Sequence, residues 1–311
     1  MMKFTIAAMI RIGLSTVRPR EYPCHVTQSG TCQLLPIAFR ENALALARSL
    51  VEAGGYDIEQ VLAAYVRWYE TPPFDIGQTT LAALAAASRA PVGSRRSHAI
   101  AAASRSSQAN GSLMRISPLG IAAAGEPGRA AGWAAEDSRL THPHPVCVAS
   151  CAAFAAAVAG AIAGASRREM LELASTHAGE GTGAGEVRDM LDTARHRLPG
   201  DFQSQMGWVR TAFVNAFHLL ANGIGVEEGL IQTVGRGGDT DTNGAIAGAL
   251  LGAADGRSAV PQRWIAPVLA CRPDFSSGAA RPRPPEYWPH DVLELAVQLL
   301  CLAGDGNADK Q

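Results

Sequence analysis

Residues 145–166, PVCVASCAAFAAAVAGAIAGAS, hold no charged side chain, and alanine is by far the commonest residue among them. As a helix rising about 1.5 Å per residue the run is long enough to cross a bilayer. It has little of the Leu, Ile and Phe that would hold it there, so the better expectation is a buried helix that lets its neighbours approach closely. Small and aliphatic residues recur at helical spacing through most of the chain, and β-type alternation nowhere lasts more than a few residues. The predicted fold is therefore all-α, a compact single-domain bundle of roughly ten helices. A chain of 311 residues, 47% hydrophobic, can bury a substantial core.

Net charge is −1 and charged residues make up 18%, with a pI near 6.7. No electrostatic case exists for nucleic acid or an anionic membrane, which leaves a small molecule or a protein side chain as the expected ligand. The six cysteines form no CxxC pair and are irregularly spaced, as expected of reduced thiols in a cytoplasmic protein. Cys147 and Cys151, one helical turn apart in an apolar stretch, are expected as small core residues. Arg11 interrupts the short apolar run at the start, so no signal peptide is expected.

Taken in order, residues 1–40 show no periodicity and are expected to be irregular. A helix over 41–53 stops at Gly54-Gly55, and Asp57 caps a second that ends before Pro72-Pro73. Asp75 or Thr79 would cap a third, ended by Pro91. Residues 94–107 read as a basic, Ser-rich link with Arg95, Arg96 and Arg105 in solvent. The Asn110-Gly111-Ser112 turn follows, then Thr141-His142-Pro143-His144-Pro145 leading into the alanine run. One or two charged amphipathic helices surround a Gly-rich hinge at 179–185, and further helices are expected over 208–220, 226–234, 261–269 and 289–302. Residues 304–311 read as a frayed tail, so 41–303 forms the domain.

The polar stretch with most chemistry is Arg236 to Gly244, RGGDTDTNG. Gly237 and Gly238 permit a tight positive-φ bend, after which Asp239 and Asp241 present two carboxylates from one short loop. Thr242 and Asn243 are N-cap types, and residues 244–254 continue as a small-residue helix. Such a helix start can hold a hard cation through Asp239, Asp241 and the Thr242 hydroxyl while free N–H groups face an anionic ligand. The alternative is a polar turn that only caps the helix.

GGDTDTNGAIAGALLGA resembles the C-terminal metal motif of the ADP-ribosylglycohydrolase family. DIGQTT, NGSLMRISPLGI, LTHPHP, GWVRTAFVNAFHLL, AVPQRWI and YWPHDVLELAVQLL resemble its other segments in the same order. The resemblance implies Mg²⁺, one or two ions with Mn²⁺ as alternative, on Asp239, Asp241 and Thr242, with Asp239 and Asp241 also catalytic. It implies ADP-ribose or an ADP-ribosylated protein as partner, contacted by Asn110, Gly111, Ser112, His142, Gly237 and Gly238. Gly207 and Trp208 would lie near the ligand, and Arg115 would pair structurally. His142 has a second reading, as cap of the following helix. The implied reaction is hydrolysis of the bond between ribose C1″ and a modified residue at a binuclear cation site.

The family also places a Thr-Asp-Asp-Thr motif where this chain has Ile37, Ala38, Phe39 and Arg40, none a suitable oxygen ligand. Three readings follow: a relative that binds ADP-ribose without cleaving it; an enzyme that recruits Glu41 or Asp75 to a single-metal site; or a chain whose first forty residues come from a shifted reading frame. The oligomeric state and the modified residue recognised stay open, since both depend on loop surfaces.

Overall fold

The computed structural model describes residues 38–277, 279 and 281–305. The chain runs through α1 (Ala38–Ala53), α2 (Ile58–Glu70), α3 (Gln78–Arg89), α4 (Arg95–Ala102), α5 (Ser117–Ala122), α6 (Pro127–Thr141) and α7 (Pro145–Ile162). It continues through α8 (Arg167–Thr176), α9 (Thr182–His196), α10 (Val209–Ala221), α11 (Val226–Gly235), α12 (Thr240–Asp255), α13 (Gln262–Ala270) and α14 (Val292–Asp305). No β-strand occurs among the described residues, only one antiparallel bridge between Ala109 and Trp208. The all-α expectation holds.

The alanine run is the axis of the bundle. α7 is long and apolar enough to cross a membrane, yet 83% of it is buried among α5, α6, α8, α9, α10 and α12. Small residues make this packing close: a Cβ on Gly120 of α5 would lie 2.7 Å from Val158, and one on Gly183 of α9 would strike the Pro145 backbone. Cys147 and Cys151 are buried free thiols on this helix, as expected.

At the first described helix the chain turns through Gly54 (φ 66°), and the Asp57 carboxylate caps α2 by accepting from the Glu59 and Gln60 N–H groups. The expected cap of α3 is not there. Gly77 occupies that position without a side-chain bond, Asp75 is exposed, and Thr79 instead bonds Ser107 Oγ at 2.8 Å. The expected link over 94–107 contains α4, and its Arg96 is not simply solvated but reaches Glu136 at 2.7 Å. α1 begins at Ala38, ahead of the expected start, and α9 starts inside the Gly-rich hinge. Of the regions expected to be irregular, residues 1–37 and the tail beyond 305 lie outside the described residues.

Two buried arginine clusters tie distant elements together. Arg115, 1% exposed, donates to Asp137 on α6, and Tyr65 of α2 donates to the same carboxylate. Arg283 donates through Nε and Nη2 to Glu41, which also accepts from Trp68 Nε1 at 2.6 Å. The remaining Arg283 donors reach the Thr71 and Pro72 carbonyls and the Thr71 hydroxyl, so no donor of this guanidinium is wasted.

Candidate functional site

α11 and α12 are joined by the bend that carries the acidic pair. Gly237 and Gly238 have φ of 74° and 69°, a conformation that costs other residues but not glycine. Gly238 has no room for a side chain, since a Cβ there would overlap the Phe202 carbonyl, and a Cβ on Gly237 would displace the Gln203 amide. Gln203 in turn donates to the Arg236 carbonyl at 3.2 Å. Residues 202–206 therefore lie against the bend and hold it.

Asp239 is the N-cap of α12, and its Oδ1 accepts from the Thr242 N–H at 3.3 Å. Its Oδ2 accepts from the Asn110 amide at 2.8 Å, which joins two motifs 129 positions apart. The Asp239 carboxyl is pushed up to about 6, first by burial and next by the adjoining Asp241 carboxyl, with Asn110 opposing. Two carboxylates so close favour a shared proton or a cation. Thr242, fully buried on the same helical turn, has an Oγ1 with no hydrogen-bond partner, and both polar atoms of the Asn243 amide are likewise unpartnered. A buried polar atom left this way calls for a ligand or water. The donor set of Asp239, Asp241 and Thr242 fits one hard divalent cation.

The Asn110 turn is held from three sides. Its N–H donates to the Gly207 carbonyl at 2.9 Å, and Val209 N–H donates to the Gln108 carbonyl at 2.8 Å. From α7, Cys147 Sγ lies 3.5 Å from the Ala109 carbonyl and Cys151 Sγ 3.4 Å from Ser112 Oγ. Burial raises both thiols, which makes them packing groups and not nucleophiles. Ser138 Oγ also donates to Ser112 Oγ. Ser112 is fully enclosed, so its hydroxyl supports the turn from the core side.

His142 lies beneath Gly111. A Cβ there would be 2.9 Å from both Cε1 and Nε2 of the ring. The ring is 1% exposed, its Nδ1 sits 2.7 Å from Thr141 Oγ1, and burial, with help from Arg115, pulls its pKa down to about 3. The imidazole is a neutral floor under the turn. Its second reading, as cap of the following helix, is also corrected: His144 takes that place, with Nδ1 accepting from the Val146 N–H.

An open groove of about 490 Å³ runs beside Asn110, lined by Ser106, Gln108, Ala109, Gln205, Gly207 and Trp208. Trp208 Nε1 donates to Gln108 Oε1 at 2.8 Å, fixing the ring at its wall. Gly207 and Trp208 were expected here; Gln108, Gln205 and the supporting stretch 202–206 were not. The only signal for that stretch is the glycine pair, which announces that some backbone comes close without saying which.

The proposed recruits, Glu41 and Asp75, differ in what holds them. Both oxygens of Glu41 are taken by Arg283 and Trp68, and Asp75 is exposed. Among the described residues no three His, Cys, Asp or Glu side chains gather in a way that could hold a metal ion. Arg115 is structural, as expected.

An all-α bundle in which an Asn-Gly turn is bonded to a Gly-Gly-Asp helix start defines a class of helical protein with one polar site between two motifs. The chain belongs to the ADP-ribosylglycohydrolase family, whose profile matches residues 39–296. It is 28% identical over 238 residues to the ADP-ribosyl-[dinitrogen reductase] glycohydrolase of Rhodospirillum rubrum, covering 72% of this chain and 70% of that one. An uncharacterised protein of Archaeoglobus fulgidus is 29% identical over 235 residues, 72% of each chain. A solved structure titled an ADP-ribosylglycohydrolase-related protein complex superposes with a TM-score of 0.65 at 22% identity, covering 97% of this chain and 95% of that one, which bears on the fold. Family and relatives together support an ADP-ribosylglycohydrolase-like function.

Proposed function

We propose that the chain hydrolyses the glycosidic bond between ADP-ribose and a modified side chain, where Asn110 meets Asp239 beside the Trp208 groove. The observation that carries this reading is the 2.8 Å bond between those two residues, beside an acidic pair and a buried, unpartnered Thr242 hydroxyl. Asp239, Asp241 and Thr242 would hold Mg²⁺ or Mn²⁺, which when bound supplies Lewis acidity and orients the ribose hydroxyls. The backbone at Gly111 and Gly238 would face the ribose and diphosphate, with Asn110 and Gly237 fixing the two turns that present it. His142 keeps Gly111 in place, and Trp208 walls the groove that takes the rest of the ligand.

Hydrolysis joins a water oxygen to C1″, breaks the bond from C1″ to the side-chain nitrogen or oxygen, and returns a proton to that leaving atom. The proton gained by the leaving atom comes from the attacking water, and Asp239 and Asp241 would hold the ion that orients that water. Release of ADP-ribose from ADP-ribosylated arginine or serine peptides tests the proposal, with Asp239→Ala expected to abolish it. No release from either peptide by the parent chain would contradict it.

A second reading, binding of ADP-ribose without cleavage, is favoured by one observation. Positions 37–40 offer no carboxylate, and Glu41 is committed to Arg283. Calorimetry with ADP-ribose, with and without Mg²⁺, paired with the release assay separates the two: binding without release identifies the reader.

A further inference from the structure

We infer that Gln108 is a specificity-determining residue of the groove: the wall it shares with Trp208 and His144 has one hydrogen-bond donor too many, so the ligand group seated there must bring an acceptor. This rests on the reading of that groove as the seat of part of an ADP-ribose.

Three contacts run in a row. Trp208 Nε1 donates to Gln108 Oε1 at 2.8 Å, Gln108 Nε2 lies 3.3 Å from His144 Nε2, and His144 Nδ1 accepts from the Val146 N–H at 3.2 Å. Both ends of the row, the indole and the backbone amide, are donors only. Between them the Gln108 amide has one end that donates and one that accepts, and so has a neutral imidazole. Two such groups between two donors cannot all be matched, and one junction must set a donor against a donor. A charged imidazole, a donor at both nitrogens, fares worse.

The surroundings choose where the mismatch falls. Val146 is buried, and its N–H lies in the first turn of α7, where His144 is the cap; leaving that N–H bare is costly. Nδ1 therefore stays the acceptor and the imidazole proton sits on Nε2. The Trp208 N–H and the His144 Nε2–H then compete for one amide oxygen. The backbone cannot relax this contest, because the Val209 N–H donates to the Gln108 carbonyl at 2.8 Å and Ala109 is bridged to Trp208.

Of the two competitors only Trp208 lines the groove with Gln108. An acceptor that enters and takes the indole N–H frees the amide to turn its oxygen to His144 and its NH₂ to the same ligand group. Every donor is then matched, and two of them face one oxygen or ring nitrogen. A ligand group that only donates would leave the indole N–H bare in a desolvated wall. Arg210, its guanidinium 5.9 Å from the centre of the Trp208 ring, adds positive charge to the same wall.

Long-range ¹H–¹⁵N spectra of the full chain read the His144 tautomer, and calorimetry with ADP-ribose reads the selection. The Nε2–H tautomer is expected. Gln108→Glu, which gives each donor an oxygen of its own, should weaken ADP-ribose about ten-fold, and Trp208→Phe, which keeps a ring and removes the N–H, should do the same. Combined, the two should weaken it by little more than either alone, because both act on one bond. An Nδ1–H tautomer, or losses that multiply to about a hundred-fold in the double variant, would overturn the inference; if the variants do not fold, the tautomer decides. If the parent chain binds no ADP-ribose, the ADP-ribosyl reading falls, whereas the Nε2–H tautomer still upholds the surplus donor and Nδ1–H overturns it.

Discussion

Gly238 shows how one missing atom shapes the site. With φ at 69° and the Phe202 carbonyl against its Cα, any side chain must both strain the backbone and push residues 202–206 aside. Gly238→Ala should cost about 1–3 kcal/mol and loosen the bend, measured as a lower unfolding temperature and weaker Mn²⁺ binding; unchanged values for both would show that the contact is not needed. His142 carries a pH signature. Folded, it stays neutral to about pH 3, against 6.5 for a free imidazole. Its contribution to stability is therefore whole above about pH 6.5 and declines as pH falls toward 3. Between pH 7 and 5 the loss is about 2 kcal/mol, opposed by Asp239 in the cation-free chain, whose raised carboxyl favours the folded state at low pH and loses that effect as pH rises through about 6. Urea melts of the parent and His142→Gln should thus diverge in their pH slopes, the variant losing less on acidification. Parallel slopes would place the imidazole in a wetter setting.

The Glu41–Arg283 pair belongs to the scale of elements, since it pins α1 to the segment before α14. Removing one partner leaves a buried charge alone, so Glu41→Gln should cost about 3–5 kcal/mol, read as a shifted denaturation midpoint. A cost under about 1 kcal/mol would mean the pair is solvated. This pair was hidden in the sequence, because nothing at position 41 points to an arginine 242 positions away. Elements with an unbroken apolar stripe, such as α2, α7 and α10, were legible, and so was the Asp57 cap. α6 was not. It buries Asp137 and Ser138 alongside Ala130, Ala134 and Leu140, so polar letters interrupt the periodic signal. α4 was missed because Ala99 is its sole buried residue, which leaves almost no stripe to detect. Gly237, Gly238, Asp239 and Asp241 could be read directly as a bend with two acids, but the bond from Asn110 to Asp239 joins positions 129 apart, and local pattern carries no trace of it.

For the molecule as a whole, a ligand that binds only the folded chain shifts its stability. A cation at a hundred times its dissociation constant should add about 2.7 kcal/mol, seen as a rise in the unfolding temperature with Mg²⁺ or Mn²⁺. Asp241→Asn should abolish that rise, and an equal rise in the variant would place the cation elsewhere. The reach of Arg283 to the first described helix also has a bearing on synthesis. Until residue 283 has left the ribosome, Glu41 has no cation to answer it and the Thr71 and Pro72 carbonyls have no guanidinium. The nascent α1–α2 hairpin would therefore wait, unsealed, while the 242 positions from Glu41 to Arg283 are made, and a chaperone meeting this chain would find its first described helices secured late.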